Sequence, residues 1–156
     1  MGLAHTLELL HILSVFLLLG ALGMITYSSV MISRTDDVQK FGIYVAIGGT
    51  GGMFAGIATL LVGVFGVLAA WKIGWSLTEG WLIAAYIATG AAFLMPIVTF
   101  KPWGDHVEKL MGQAYEEGRI LPEQLEILTS IKYRVAEVFM YGLLVFIAYV
   151  MVFKPF

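Results

Sequence analysis

Four long runs of apolar residues follow one another along the chain, and polar segments separate them. The runs cover residues 7–32, 41–70, 81–100 and 135–153. At about 1.5 Å per residue, a helix of each length can cross a hydrocarbon core about 30 Å thick. None of the runs shows the alternation of a half-buried strand, and lipid excludes open sheet edges. The pattern therefore predicts an all-α integral membrane protein with four transmembrane helices.

The segments between the runs predict the topology of the bundle. Residues 33–40 and 72–80 are short connections, so consecutive helices should pack antiparallel. The 101–134 segment is longer and carries most of the charge, and its helical spacing predicts a hairpin between the third and fourth spans. We expect one transmembrane domain over residues 1–156, a four-helix bundle with this hairpin outside the membrane.

Two residues within the hairpin predict where its helices end and begin. Gly118 is a typical helix stop, and Pro122 suits the first turn of the next helix. From Pro122 the apolar spacing continues toward the fourth run, which predicts one unbroken helix from Pro122 to about Phe153.

The distribution of lysine and arginine predicts the orientation. Seven of the nine such residues lie in the 33–40 loop and the 101–134 hairpin, and only Lys72 and Lys154 lie on the other side. Because cytoplasmic loops are enriched in these residues, we expect the hairpin in the cytoplasm and both termini outside a bacterial inner membrane. Three tryptophans are expected to form the outer aromatic belt: Trp71, Trp75 and Trp81.

Composition supports the membrane assignment and excludes several functions. The chain is 60% hydrophobic and 13% charged, whereas soluble domains carry about 25% charged residues. The first run lacks a positive start and is too long for a cleavable signal peptide, so we treat it as a mature helix. The chain has no cysteine, which excludes disulfides, thiolate metal sites and Cys-ligated iron–sulfur clusters. It has no basic tract for nucleic acid and no complete catalytic motif.

The second run carries a regular series of glycines, here called the glycine stripe. Gly48, Gly52 and Gly56 are four residues apart, and Gly63 extends the same face. Small residues at this spacing let another backbone approach closely. We expect the stripe to pack against a helix of the same bundle. A seam against another subunit and a local break beside a ligand cavity are the alternatives.

His11 is the main candidate for binding a cofactor, with Glu8 three residues before it. Both lie in the first turns, so an interfacial hydrogen-bonded pair is one interpretation. The other is a haem or metal ligand whose tautomer is fixed by Glu8 or by a backbone carbonyl one turn earlier. His106 lies in the hairpin on the opposite side. A second ligand at a similar depth would therefore come from Met151 or from another chain.

Glu137 is the other ionisable residue within a span, about one turn inside the fourth run. Arg134 precedes it by three residues, which predicts a local ion pair. A proton relay would need a second titratable group deeper in the bundle, and the centres of the four runs contain none. This argues against an ion path through this chain alone.

The first run resembles the opening helix of the CopD-like group of small bacterial membrane proteins. The residues that carry the resemblance are Leu10-His11-Ile12-Leu13, Gly20, Gly23 and Arg34. The group includes copper-resistance CopD proteins, HemJ-type protoporphyrinogen oxidases and uncharacterised four-span families. Pro96, the charged hairpin and the 118–122 segment look most like one of the uncharacterised families. The resemblance implies a haem-ligand role for His11 and an electron-transfer complex as its setting.

On the sequence alone we favour a non-catalytic four-span subunit. It would pack through the glycine stripe into a larger membrane complex or a homo-oligomer and bind no cofactor by itself. The alternative is a membrane protein that binds b-type haem or copper through His11. A small transporter is the third hypothesis, although the span centres lack ionisable residues such as Asp, Glu, Lys, Arg and His.

Overall fold

Four long helices make up nearly all of the computed structural model, which describes residues 2–120, 122, 126 and 130–155. The helices are α1 (Leu3–Ile32), α2 (Val38–Ile73), α3 (Gly80–Glu117) and α4 (Ile131–Phe153). The described residues contain no strand. Each helix includes a stretch long and apolar enough to cross a membrane. The prediction of an all-α membrane bundle is confirmed.

Tight turns at both ends of α2 make the first three helices antiparallel. Asp37 caps the start of α2, because its carboxylate accepts hydrogen bonds from the backbone N–H groups of Gln39 at 2.9 Å and Lys40 at 3.1 Å. Gly74 ends α2 with a φ of 94°, a left-handed conformation that glycine adopts without strain. Both chain ends and the 74–79 turn therefore lie at one end of the bundle, here called the termini end.

The third helix continues well beyond its apolar part. α3 runs without interruption through Pro96 and Pro102 to Glu117, and its membrane-spanning stretch is Gly80–Val98. It ends at Gly118, whose φ is 68°, as the sequence predicts. The first helix of the expected hairpin is therefore a continuation of the third transmembrane helix.

The expected unbroken helix from Pro122 to Phe153 is wrong. Ser130 has an extended backbone, with φ −54° and ψ 135°, and its hydroxyl accepts a hydrogen bond from the backbone N–H of Lys132 at 3.3 Å. A serine that bonds the backbone in this way favours a helix start over a helix interior. α4 therefore begins afresh at Ile131. Residues 121, 123–125 and 127–129 of the expected helix lie outside the described ones.

Small residues bring α1 and α2 into close contact along most of their length. The central buried cluster joins these two helices: Leu18, Ala21, Leu22, Ala55 and Ala58. A second cluster, at the end opposite the termini, joins Ile32, Phe41 and Val107. A third, at the termini end, joins α2 and α3 and contacts α4: Ala70, Trp81 and Leu82, with Tyr86 and Met151 against them.

Much of the outward surface is apolar. Phe16, Ile87 and Val152 are 66%, 68% and 72% exposed, as expected for side chains that face lipid. Trp71 is also exposed, at 58%, and suits the predicted aromatic belt. Trp81 is only 2% exposed, so its expected place in that belt is wrong: its ring packs inward against Ala70 and Leu82.

Candidate functional site

A cavity of about 560 Å³ lies between the helices toward the termini end, and all four helices line it. Its wall is mostly apolar. The lining residues with polar or sulfur atoms are His11, Thr59, Tyr86, Thr89 and Met151. The volume falls within the range of roughly 300–1,000 Å³ of small-molecule and cofactor sites. We call this space the His11 cavity.

His11 is held by a backbone carbonyl of the neighbouring helix. Its Nδ1 lies 2.9 Å from the carbonyl oxygen of Val62. A carbonyl oxygen only accepts hydrogen bonds, so Nδ1 carries the hydrogen and donates it. In the neutral imidazole, Nε2 then presents a lone pair, and no described residue donates a hydrogen bond to it. This is the tautomer that a histidine needs to bind a metal through Nε2.

Gly66 provides the space in which the imidazole lies. A Cβ atom at this position would be 3.0 Å from Cε1 and 3.1 Å from Nδ1 of His11. The absence of a side chain one turn after Val62 thus lets the ring reach the carbonyl. Sequence reasoning missed Gly66. The sequence shows a glycine three residues after Gly63, but only the register between α1 and α2 shows that this glycine contacts His11.

Glu8 lies away from His11 and pairs with a different histidine. Its Oε2 accepts a hydrogen bond from Nδ1 of His5 at 3.1 Å, and both side chains are exposed. The carbonyl of Val62 fixes the tautomer of His11, a role for which Glu8 was one candidate. The sequence left open Glu8 or a backbone carbonyl one turn earlier in the same helix, and both are wrong, because the carbonyl comes from α2.

Met151 borders the same cavity as His11, from the opposite end of the chain. Its side chain packs against the cluster around Trp81 and Leu82. The side chain of His106 lies outside the described part of the chain. Within that part, no group of three or more histidine, cysteine, aspartate or glutamate residues is placed to hold a metal ion.

Tyr86 contributes a hydroxyl to the cavity wall. The hydroxyl oxygen is buried and has no hydrogen-bond partner among the described residues. The hydroxyl of Thr59, in contrast, donates to the carbonyl of Ala55 at 2.8 Å. The sequence does not single out Tyr86, because nothing in a single tyrosine indicates whether its hydroxyl is paired.

A positive charge lies over two tryptophan rings at the termini end. The ammonium group of Lys154 is 3.9 Å from the ring centroid of Trp75 and 5.0 Å from that of Trp81. Such cation–π contacts hold a cation over apolar surface. Lys154 follows Met151 by three residues and is not one of the residues that line the cavity.

The glycine stripe divides into two faces of α2. A Cβ at Gly48 would be 2.5 Å from the Ser28 hydroxyl, and one at Gly63 would be 3.6 Å from Thr89. At Gly52 and Gly56 a Cβ would meet no described atom within 4 Å. The packing within the bundle that was expected at Gly52 and Gly56 is therefore wrong. A seam against another subunit at these two positions stays a prediction.

The face of α2 that packs against α1 follows a different spacing from the stripe. A Cβ at Gly51 would lie 2.9 Å from the carbonyl oxygen of Ala21, closer than real Cβ atoms approach. Contacts therefore recur at Gly48, Gly51, Ala55, Val62 and Gly66. Steps of three and four residues keep one helical face, whereas repeated steps of four drift away from it.

Glu137 bonds to α1 instead of Arg134. The hydroxyl of Thr26 donates to its Oε1 at 2.8 Å, and the hydroxyl of Tyr141 also bonds to Thr26. No ion pair joins Arg134 to Glu137 in the described structure. The expected pair is wrong, because the carboxylate faces α1 and is satisfied there.

Four apolar helices with an apolar outer surface define a multi-pass integral membrane protein, which lies in a lipid bilayer. The chain belongs to the family described as predicted integral membrane protein (DUF2269), whose model matches residues 5–155. No match was found among curated proteins or among solved structures. Membership supports a family of small membrane proteins, and the finer likeness to the CopD-like group stays a prediction.

Proposed function

We propose that this protein binds b-type haem in the His11 cavity, with His11 as an axial ligand. The observation that supports this most directly is the hydrogen bond from His11 Nδ1 to the carbonyl of Val62. It leaves the lone pair of Nε2 for an iron atom and fixes the orientation of the ring. Gly66 gives the ring room to hold that position.

The residues around the cavity fit haem better than a bare copper ion. A copper ion needs several protein ligands close together, whereas His11 and Met151 are the two such side chains on this wall. A mostly apolar space of about 560 Å³ suits a large organic cofactor. Met151, or a residue from another chain, would supply the second axial ligand.

The surrounding residues would orient the cofactor and keep water away from it. The apolar wall would shield a bound haem from water, and Lys154, at the termini end, would offer a counter-charge for a carboxylate. Haem supplies one-electron transfer when it is bound. The proposed role is therefore an electron-transfer subunit in which this chain holds the cofactor and carries out no substrate chemistry.

A titration with iron(III) protoporphyrin IX tests the proposal. Purified protein in detergent should show a shifted Soret band that saturates at one haem per bundle, or one per pair of chains. His11→Ala should lose the shift. His5→Ala is the matched control and should keep it, because His5 pairs with Glu8 outside the cavity. Equal binding by His11→Ala and the wild type would refute the proposal.

A second proposal concerns assembly, and a specific observation favours it. Gly52 and Gly56 are open, and large apolar side chains beside them are exposed: Met53 at 59%, Ile57 at 47% and Leu60 at 54%. Such a face suits close approach by another transmembrane helix. We propose that the chain associates through this face, either with a second copy or with another membrane subunit.

A further inference from the structure

We infer that the hydroxyl of Tyr86 donates a hydrogen bond to an oxygen atom of the molecule in the His11 cavity. For haem, this oxygen belongs to a propionate carboxylate. The identity of the ligand rests on the proposed function. The inference itself starts from a buried hydroxyl that lines the cavity and has no partner among the described residues.

The position of Tyr86 makes an unpaired hydroxyl costly. Tyr86 lies six residues after the start of α3, about 9 Å along the helix, so its hydroxyl is within the membrane-spanning stretch. The bilayer core supplies no water to satisfy a buried hydroxyl, and leaving one unpaired destabilises the fold. Buried tyrosine hydroxyls normally have a partner, and here the cavity is the available source of one.

The neighbouring hydroxyl does not fill this role. Thr59 already donates to the carbonyl of Ala55. The methyl group of Thr89 is the part of that side chain that approaches α2, 3.6 Å from a Cβ built at Gly63. Neither side chain forms a hydrogen bond with Tyr86 within the described structure.

Two polar groups in the cavity, the imidazole of His11 and the hydroxyl of Tyr86, together indicate the class of ligand. Nε2 of His11 presents a lone pair, which a Lewis acid satisfies, and Tyr86 presents an O–H group, which an acceptor oxygen satisfies. The wall between them requires an apolar body. A carboxylate-bearing metalloporphyrin meets all three requirements, and Lys154 adds a matching charge. A lipid carbonyl would meet only the requirement of Tyr86.

Tyr86→Phe, measured with and without haem, tests the inference. Without haem, the variant should melt at the wild-type temperature or higher, because it loses a hydroxyl that has no partner. It should bind iron(III) protoporphyrin IX about tenfold more weakly than the wild type, since a bond to a charged group is lost. With the dimethyl ester of this porphyrin, the difference between the two proteins should shrink. Tyr149→Phe is the control, because Tyr149 is 49% exposed and stacks on Phe153.

Two results would overturn the inference while leaving the proposed function intact. One is unchanged haem affinity in Tyr86→Phe when His11→Ala has lost binding. The other is a lower melting temperature of haem-free Tyr86→Phe, which would mean that the hydroxyl already has a partner such as a lipid. Failure of the wild type to take up haem would instead refute the proposed function, and the porphyrin partner of Tyr86 with it.

Discussion

The orientation of the His11 ring depends on its contact with Gly66, which has no side chain. The imidazole lies against Gly66, 3.0 Å from the place of a Cβ at that residue, and donates to the carbonyl of Val62. Its tautomer is therefore set by the backbone of α2. An adjacent carboxylate is not needed, since Glu8 bonds to His5.

Gly66→Ala tests this contact directly. The new methyl group would lie about 3.0 Å from the ring of His11, so the imidazole must move and its bond to Val62 must weaken. We expect haem affinity to fall by about tenfold, the equivalent of about one hydrogen bond. The measurement is the same porphyrin titration.

Gly63→Ala is the matched control for that variant. It lies on the same helix and also lines the cavity, but its methyl group would stay clear of His11 and meet Thr89 at an ordinary 3.6 Å. Alanine also has the higher helix propensity, so the control should bind haem normally and melt no lower than the wild type. Equal affinities for both variants would mean that the position of His11 does not depend on residue 66.

At this scale the sequence named two of the residues that line the His11 cavity. His11 and Met151 were predicted because imidazole and thioether groups at similar depth are typical haem ligands, and the structure places both on one cavity. Val62 and Gly66 were not predictable, because a backbone carbonyl leaves no trace in residue type. The pairing of α1 with α2 decides which carbonyl His11 meets.

At the scale of helices, the spans followed from the apolar runs, because lipid requires every backbone group of a span to be satisfied within a helix. The breaks outside the membrane were harder to predict. Ser130 interrupts a continuous apolar spacing by capping α4, whereas Pro96 and Pro102 leave α3 continuous. Local hydrogen bonding determines whether the helix breaks or continues at these residues, and the spacing of apolar residues does not indicate it.

Two neighbouring glycines of α2 should respond differently to the same substitution. Gly51→Leu places a side chain against the carbonyl of Ala21, 2.9 Å from the Cβ position, and should lower the melting temperature strongly or prevent folding. Gly52→Leu faces open space and should preserve the fold. Thermal melting and the mass of the protein in detergent distinguish the two effects.

The mass of Gly52→Leu also tests the proposed assembly face. If Gly52 lies in a seam with another chain, the variant should fold but lose its partner. An unchanged melting temperature together with an unchanged oligomeric mass would show that this face contacts only lipid.

The contact between α1 and α4 depends on Thr26. Its hydroxyl donates to Glu137 and also bonds to Tyr141. Thr26→Val keeps the shape but leaves the carboxylate without this donor, so we expect a loss of about 1–3 kcal/mol in unfolding free energy. Thr26→Ser keeps the hydroxyl and should melt close to the wild type. If the valine variant is as stable as the serine variant, the bond does not hold α4 to α1.

For the whole molecule, the distribution of positive charge predicts the orientation in the membrane. From the excess of lysine and arginine in the 33–40 and 101–134 segments, we expect both termini outside and the extension of α3 in the cytoplasm. Cysteines introduced at His5 and at Gln113 should therefore react with an impermeant reagent from opposite sides. Reaction of both from the same side would contradict this topology.

The visible absorption spectrum of the protein purified from its native membranes tests the central claim most directly. If His11 holds haem in the cavity, the wild type should show a Soret band with reducible b-type bands, and His11→Ala should purify as a folded four-helix protein without them. A wild type without a Soret band, or a His11→Ala variant with an unchanged spectrum, would contradict the account.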